Sequence, residues 1–289
     1  MKILKWIAGC LLVFVLIIIA FSVKAVWSTE QRLNKKYAFA LPDLLVKSDS
    51  AIIAEGHRLM ITKGCQACHG DDLGGKIWID DPLLGKIIAP NLTKGSGGLA
   101  VDYNTNDWLR SLKHGLKRDS TALRLMPSHE FTFLTEDDMQ ALIAYCSQIK
   151  PVDRTLPETN IGIVGYTLTE LEQIPMVPAE TIDHSRALTK SINREVSIEL
   201  GQYLSVGCEG CHRKNMKGGA PVAPGFPEVA DITRTGNLGK WTETDFINTL
   251  KTGVTPEGKK LKPEEMPWVS FQDYTEKEYK ALFLYLKSI

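Results

Sequence analysis

The chain has no excess charge of either sign: 34 Lys and Arg offset 34 Asp and Glu over 289 residues. No basic run interleaved with aromatics accompanies that balance, so the electrostatic footprint of a nucleic-acid binder is missing and no nucleic acid is expected as a partner. Nor does any stretch alternate apolar and polar residues long enough to argue a sheet, which leaves an all-α fold with long loops as the expectation. Cysteine is scarce, six residues in all. What is present in quantity is apolar sequence, 44% of the chain, enough for two ordinary domains each with its own core.

Four of the six cysteines fall into two copies of one pattern, Cys65-Gln66-Ala67-Cys68-His69 and Cys208-Glu209-Gly210-Cys211-His212. Cys-x-x-Cys alone serves zinc sites, redox dithiols and disulfides. The following His narrows it to the attachment signature of c-type haem. Two thiols three positions apart can each add to one vinyl group of a haem edge, and the adjacent His reaches the iron. Two covalently bound haem c groups are therefore expected.

Haem iron needs a sixth ligand beyond the porphyrin and one His. Met126 lies 57 residues after His69 and precedes Pro127; Met266 lies 54 residues after His212 and precedes Pro267. A single Met is ordinarily a core filler, but a Met-Pro pair at near-equal offset in both halves points to axial ligation. His114 and His129 compete for the first site. Set against the second half they fall opposite Thr252 and Val269, so neither has a counterpart, and His57 and His184 have none either. His114 and His129 read as surface or hydrogen-bonding residues, and His57 and His184 as structural or solvated.

Trp6 to Val23 is an uncharged 18-residue run preceded by Lys2 and Lys5, and at about 1.5 Å per residue it nearly matches a bilayer core. It reads as a single-pass helix with the N-terminus in the cytoplasm and the remaining chain on the periplasmic side of the inner membrane. A cleaved signal peptide ending near Val23-Lys24-Ala25 is the alternative. Cys10 falls inside the apolar run, and Cys146 on an apolar helical stripe.

After each Met the halves run in step to Ile149 and Ile289, an internal repeat. Thr135-Glu-Asp-Asp138 and Thr275-Glu-Lys-Glu278 are matched helix starts in which Thr caps and the acid three residues on returns a bond. Asn104–Asp107 and Thr242–Asp245 are matched caps too, with Gly115 and Gly253 as stops. The expected organisation is an anchor over 1–25, a linker over 26–47, a first haem domain over 48–152, a proline-containing linker over 153–192 and a second haem domain over 193–289.

Ala89-Pro90-Asn91-Leu92-Thr93, Asp107-Trp108, His114-Gly115, Met126-Pro127, Leu134–Asp138, Ala141-Leu142, Tyr145 and Lys150-Pro151-Val152 together resemble the cytochrome c subunits of membrane-bound alcohol and gluconate dehydrogenases. The second half keeps a sparser set, Ala230–Thr233, Asp245-Phe246, Gly253, Met266-Pro267, Ala281-Leu282 and Tyr285, similar to a class I cytochrome c domain. The resemblance implies thioether attachment at Cys65, Cys68, Cys208 and Cys211, proximal ligation by His69 and His212, and distal ligation by Met126 and Met266. It also suggests Pro82 and Pro224 as carriers of the carbonyls that orient the two proximal rings. Those subunits usually have three haem domains and a C-terminal anchor, whereas this chain has two motifs and an N-terminal apolar run.

The functional expectation is a membrane-tethered dihaem electron relay between a respiratory dehydrogenase or quinol-oxidising complex and an oxidase or soluble cytochrome. The rivals are the dihaem subunit of a terminal oxidase, whose haem domains are more compact between His and Met, and a haem enzyme such as a peroxidase or thiosulfate dehydrogenase. Such enzymes need an open sixth position or a thiolate ligand, and both halves here offer Met. A haem-based sensor would need a signalling domain before the apolar run, where about five residues stand.

Overall fold

The computed structural model describes residues 2–222 and 225–289. Its helices, in chain order, begin with α1 (Lys2–Asn34), α2 (Ser50–Thr62) and α3 (Cys65–His69). Strands β1 (Lys76–Asp81) and β2 (Gly85–Ala89) follow, then α4 (Thr105–His114), α5 (Ser128–Phe131) and α6 (Glu136–Cys146). After β3 (Asn160–Ile161) come α7 (Ile163–Glu170), α8 (Ile198–Ser205), α9 (Glu209–His212), α10 (Glu243–Thr252) and α11 (Glu276–Ser288).

The fold is mostly helical, with one correction to the all-α expectation. The three strands form an antiparallel sheet in the order β1-β2-β3. The register shifts between Ile77 and Ile79, so a bulge breaks the apolar–polar alternation that would have betrayed the hairpin. The strands are also short, and β3 comes from a segment distant in sequence.

Contacts divide the chain into two units. The first comprises the chain up to Asp43, Cys68–Thr132 and Ile149–Ala187. Here α1 does not stop at Val23 but continues to Asn34, because no Pro or Gly interrupts residues 10–41. The apolar run is long enough to cross a membrane and is unburied. Its last turns differ: Ala25, Thr29 and Leu33 are buried. Lys24 pairs with Glu170 at 2.8 Å, Arg32 pairs with Glu180, and the Tyr166 hydroxyl donates to Glu30 at 2.6 Å. The proline-containing segment before Ala187 is correspondingly ordered. Ile161, Met176, Val177 and Ala179 share a buried cluster with Leu33, Leu116 and Ala122.

The second unit comprises Leu44–Ala67, Phe133–Gln148 and Leu188–Ile289. Two helix pairs organise it, α2 with α6 and α8 with α11. Each pair touches backbone to backbone at a glycine. A Cβ built at Gly56 would overlap the Ala141 carbonyl and stand 2.7 Å from Tyr145 Cβ; one built at Gly201 would overlap the Ala281 carbonyl and stand 2.5 Å from Tyr285 Cβ. A glycine inside a helix costs about 1 kcal/mol relative to Ala, so its presence at both crossings marks a steric requirement. Leu200, Leu204, Met216, Phe246, Tyr279 and Leu282 are among the side chains of the core beside the α8–α11 pair.

The caps are largely as read. Asn104, Thr242 and Thr275 form reciprocal capping boxes with Asp107, Asp245 and Glu278, and Gly115 and Gly253 close α4 and α10 in the left-handed region. Thr135 departs from the expected box. Its hydroxyl accepts from Asp138 N at 3.1 Å, but its own N–H donates to the Tyr203 hydroxyl at 3.3 Å while the Asp138 carboxylate goes to Tyr203 and Arg194.

Because neither crossing has room for a side chain, Gly56→Val and Gly201→Val should each destabilise the fold by about 3 kcal/mol or more through overpacking. Thermal unfolding followed by circular dichroism checks this; a midpoint within a degree of the parent for either variant contradicts the crossing.

Candidate functional site

In both halves the Cys-x-x-Cys-His segment folds into one short helical turn. In the first it is α3; in the second, residues Val206–Cys208 form a 3-10 turn that leads into α9. None of the cysteines is disulfide-bonded among the described residues. Helical spacing puts thiols three apart on the same face, as two bonds to one cofactor edge require. Burial, partly offset by Lys76, raises the pKa of the Cys68 thiol. Burial also raises Cys146 well above the ordinary thiol range, in keeping with its place on the buried stripe of α6.

The loop after each His repeats bond for bond. Leu73 N donates to Gly70 O at 3.0 Å, Gly75 N to His69 O at 2.8 Å and Leu92 N to Leu73 O at 2.9 Å; Met216 N to Arg213 O at 3.0 Å, Gly218 N to His212 O at 2.9 Å and Ile232 N to Met216 O at 3.0 Å are their counterparts. These bonds bring a carbonyl to each imidazole. His69 Nδ1 lies 2.8 Å from Pro90 O, and His212 Nδ1 lies 2.8 Å from Ala230 O. A carbonyl only accepts, so each Nδ1 carries the proton and each neutral ring keeps its Nε2 lone pair for a metal. Burial, the larger cause, lowers both imidazole pKa values against the carbonyl bond that raises them.

The orienting carbonyl in the first half is therefore that of Pro90, not Pro82. Pro82 sits in the β1–β2 turn, where Asp81 Oδ1 accepts from Leu83 N and Leu84 N at 2.8 Å each. The hairpin carries the chain away and returns it only at Pro90. Pro224 lies outside the described residues; in the second half the carbonyl is Ala230's. Each carrier is followed by a small cradle. Asn91 Oδ1 accepts from Thr93 N at 2.9 Å and Thr93 Oγ1 at 2.8 Å; Asp231 Oδ1 accepts from Thr233 N at 2.8 Å and Thr233 Oγ1 at 2.7 Å. The repeated Asn/Asp-x-Thr was the sequence signal for both carriers.

The Met-Pro loops match as well. Leu123 N donates to Gly115 O at 2.8 Å and Leu261 N to Gly253 O at 2.7 Å, hanging each loop from the helix stop before it. Ser128 N and Trp268 N each donate to the Met carbonyl two residues back at 2.7 Å. Pro127 and Pro267 share φ −77°, with ψ of 50° and 56°. Met126 lies in the first unit with Cys68, His69 and Pro90, while Met266 packs partly buried against the second-unit core, as Cys208 does.

Buried polar atoms around the first Met loop suit a bound group with acceptor oxygens. Trp108 Nε1, Arg124 Nε and Thr132 Oγ1 are buried without a hydrogen-bond partner, a state that in a folded protein calls for an occupant. The thiols, the prepared imidazole nitrogen and these donors together fit a covalently attached haem.

Of the two readings of His114, surface or hydrogen-bonding, the structure shows the second. It is fully buried, its Nδ1 stands 2.8 Å from that of His184, and Phe39 stacks on both rings. His184 Nε2 lies 2.7 Å from Ala179 O and so holds its proton there; in the neutral pair His114 Nδ1 then donates to His184.

Residues 53–150 match the family model of cytochrome c. That span, about a third of the chain, is similar to cytochrome c. The similarity implies a covalently bound haem c for this span. Over a longer reach the chain is similar to the fructose dehydrogenase cytochrome subunit of Gluconobacter japonicus, 26% identical over 82% of this chain and 52% of that one. It is also similar to the alcohol dehydrogenase (quinone) cytochrome c subunit of Gluconobacter oxydans, 25% identical over 84% of this chain and 55% of that one. The gluconate 2-dehydrogenase cytochrome c subunit of Pantoea cypripedii is 22% identical over 84% of this chain and 60% of its own length. The chain thus spans little more than half of these curated relatives. The matched span contains Cys65, Cys68, His69 and Met126.

Burial first, then Lys113 and His184, push the His114 pKa down to about 4. Its neutral form is favoured by folding, so the unfolded chain binds a proton that the folded chain refuses at pH values between about 6.5 and 4. Stability from this group is complete above that window and falls as pH drops through it, by about 2 kcal/mol between pH 7 and 5. Urea unfolding of the parent and of His114→Gln at both pH values checks it, the variant losing less stability on acidification.

Proposed function

We propose that this chain is a membrane-tethered dihaem cytochrome c that relays single electrons on the periplasmic side of the inner membrane. The observation that carries the reading is the repetition, at the level of individual hydrogen bonds, of one attachment turn, one imidazole-to-carbonyl bond and one Met-Pro loop in both halves. Chance preserves neither the bonds nor their order.

Cys65 and Cys68 would form the thioethers of the first haem, and Cys208 and Cys211 those of the second. His69 and His212 would be the proximal ligands, Met126 and Met266 the distal ones. When bound, each haem supplies reversible one-electron chemistry at iron, and His/Met ligation raises its potential. Pro90 and Ala230 fix the tautomer and the direction of the two imidazoles, so the ligand nitrogen is in place before and after an electron passes. Met126 and Met266 would take the position that a peroxidase keeps open, which favours a relay over a haem enzyme.

The apolar stretch of α1 would hold the domains at the membrane, with haem attachment on the periplasmic side. The relatives are named as cytochrome subunits of fructose, alcohol and gluconate dehydrogenases, which supports a dehydrogenase as the electron donor. An oxidase or a soluble cytochrome would be the acceptor. Partner surfaces for such transfers are commonly small and transient.

Haem content tests the reading directly. The purified chain should hold two haems per polypeptide by pyridine haemochrome assay, and Cys208→Ala with Cys211→Ala should leave about half that content. Replacing Met126 or Met266 by Ala should remove the near-infrared sulfur-to-iron band of one haem and lower the potential of that haem alone. A single haem in the parent, or a band untouched by both substitutions, would sink the assignment.

A further inference from the structure

Two half-buried contacts within the second unit join the halves, and they are one contact seen twice. Arg58 stands two residues after the crossing glycine Gly56, and Tyr203 two residues after Gly201. Arg58 reaches out of its own half, Nη1 donating to Glu278 Oε2 at 2.8 Å and Nη2 to Oε1 at 3.0 Å. Tyr203 does the same in the other sense, its hydroxyl donating to Asp138 Oδ2. Glu278 and Asp138 are again equivalent, each three residues after its N-cap threonine. The first helix of each half thus donates to the start of the last helix of the other.

The exchange extends to the backbone and to a supporting layer. Arg58 Nη1 also donates to Asp273 O at 3.2 Å, just before α11, and Thr135 N donates to the Tyr203 hydroxyl at the start of α6. Glu55 braces Arg58 at 2.7 Å, Arg194 braces Asp138, and Lys63 and Arg194 stand 5.5 and 5.6 Å from the centre of the Tyr203 ring. Asp138 and Glu278 are 2% and 5% exposed. A buried acid held by several directional donors has few alternative geometries, since losing any donor leaves charge unpaired in a low dielectric.

These contacts sit beside the two attachment segments. The α2 cap residue Lys63 is two residues before Cys65, and Tyr203 is five residues before Cys208. Tyr274, buried in the same core, has its pKa raised by burial first and then by the nearby Cys208 and Glu278.

We propose that the exchanged pairs Arg58–Glu278 and Tyr203–Asp138 are positioning contacts for electron passage between two haems, fixing within the second unit the ends of α2 and α8 that lead into Cys65 and Cys208. This rests on the two-haem reading. The step moves one electron within the chain: one centre is oxidised by one electron, the other is reduced by the same electron, and no bond breaks and no proton moves. Arg58 and Tyr203 act through placement only.

The test uses the full chain with its haems in detergent and measures internal electron exchange after flash reduction, both midpoint potentials and haem per polypeptide. Arg58→Glu and Glu278→Arg should each slow exchange by about tenfold or more, the scale on which small misplacements act, with both potentials at parent values. The double swap should restore the rate. Arg58→Lys and Tyr203→Phe, which remove only the fork or the hydroxyl, carry the test should a charge reversal prevent folding, and both should slow exchange. Parent rates in these variants, or slowing that follows a shift in potential, would overturn the positioning role while leaving two haems intact. One haem per parent chain would instead overturn the two-haem reading, and the positioning role with it.

Discussion

Residues 56 and 201 have no room for a side chain, and much of the architecture follows from that. At each, two helices meet backbone to backbone, Gly56 on Ala141 and Gly201 on Ala281. Such a contact admits one register, because a shift of one residue would bring a Cβ into the partner's carbonyl. Register then propagates along the chain. The helix that crosses runs into the attachment turn within a few residues, and the helix it crosses begins at a capped threonine whose acid is left at a fixed height. Burial of the apolar stripes supplies most of the free energy; the glycines decide which arrangement receives it.

The attachment loops reach one geometry from two sequences. After His69 the chain turns through Gly70 at φ 82°; after His212 it turns through Arg213 at φ 67°. Leu73 and Met216 are likewise both left-handed, at φ 55° and 58°. A residue with a Cβ pays about 1–3 kcal/mol to hold such a positive φ, so the second copy retains the turn at a cost the first avoids at its opening position. What both copies obtain is the carbonyl at Nδ1. The strain is local, and the ligand geometry it maintains is the part of the loop that cannot vary.

The sequence made the attachment turns, the Met-Pro loops and most helix caps legible, because each rests on a short pattern repeated at near-equal spacing. Three features escaped it for physical reasons. The hairpin of β1 and β2 is bulged, so its alternation is broken where a period of two would be sought. Pro90 and Ala230 act through backbone carbonyls, which leave no side-chain signature; only the Asn/Asp-x-Thr cradle after them was visible. The crossing glycines looked like isolated weak points in helical patterns, and the repeat at 56 and 201 becomes meaningful only beside Ala141 and Ala281. Likewise the uninterrupted run from residue 10 to 41 shows that nothing breaks α1 at the edge of its apolar stretch, but the tertiary pairs that hold its last turns, Lys24 with Glu170 and Arg32 with Glu180, leave no local pattern.

The unequal lengths of Asp138 and Glu278 explain the one cap that departs from the repeat. Glu278 is long enough for Oε2 to accept from Thr275 N at 2.8 Å while both its oxygens accept from Arg58. Asp138 is one methylene shorter and spends its oxygens on Arg194 and Tyr203. The backbone N–H of Thr135 would then be orphaned at a buried helix start, a loss worth about 1–3 kcal/mol. The Tyr203 hydroxyl resolves this by accepting from Thr135 N while donating to Asp138. Arginine could not replace it, since a guanidinium has no acceptor. A donor-only fork thus serves the acid that caps its own helix, and a hydroxyl serves the acid that cannot, so the difference between Arg58 and Tyr203 is dictated by the carboxylate each one meets.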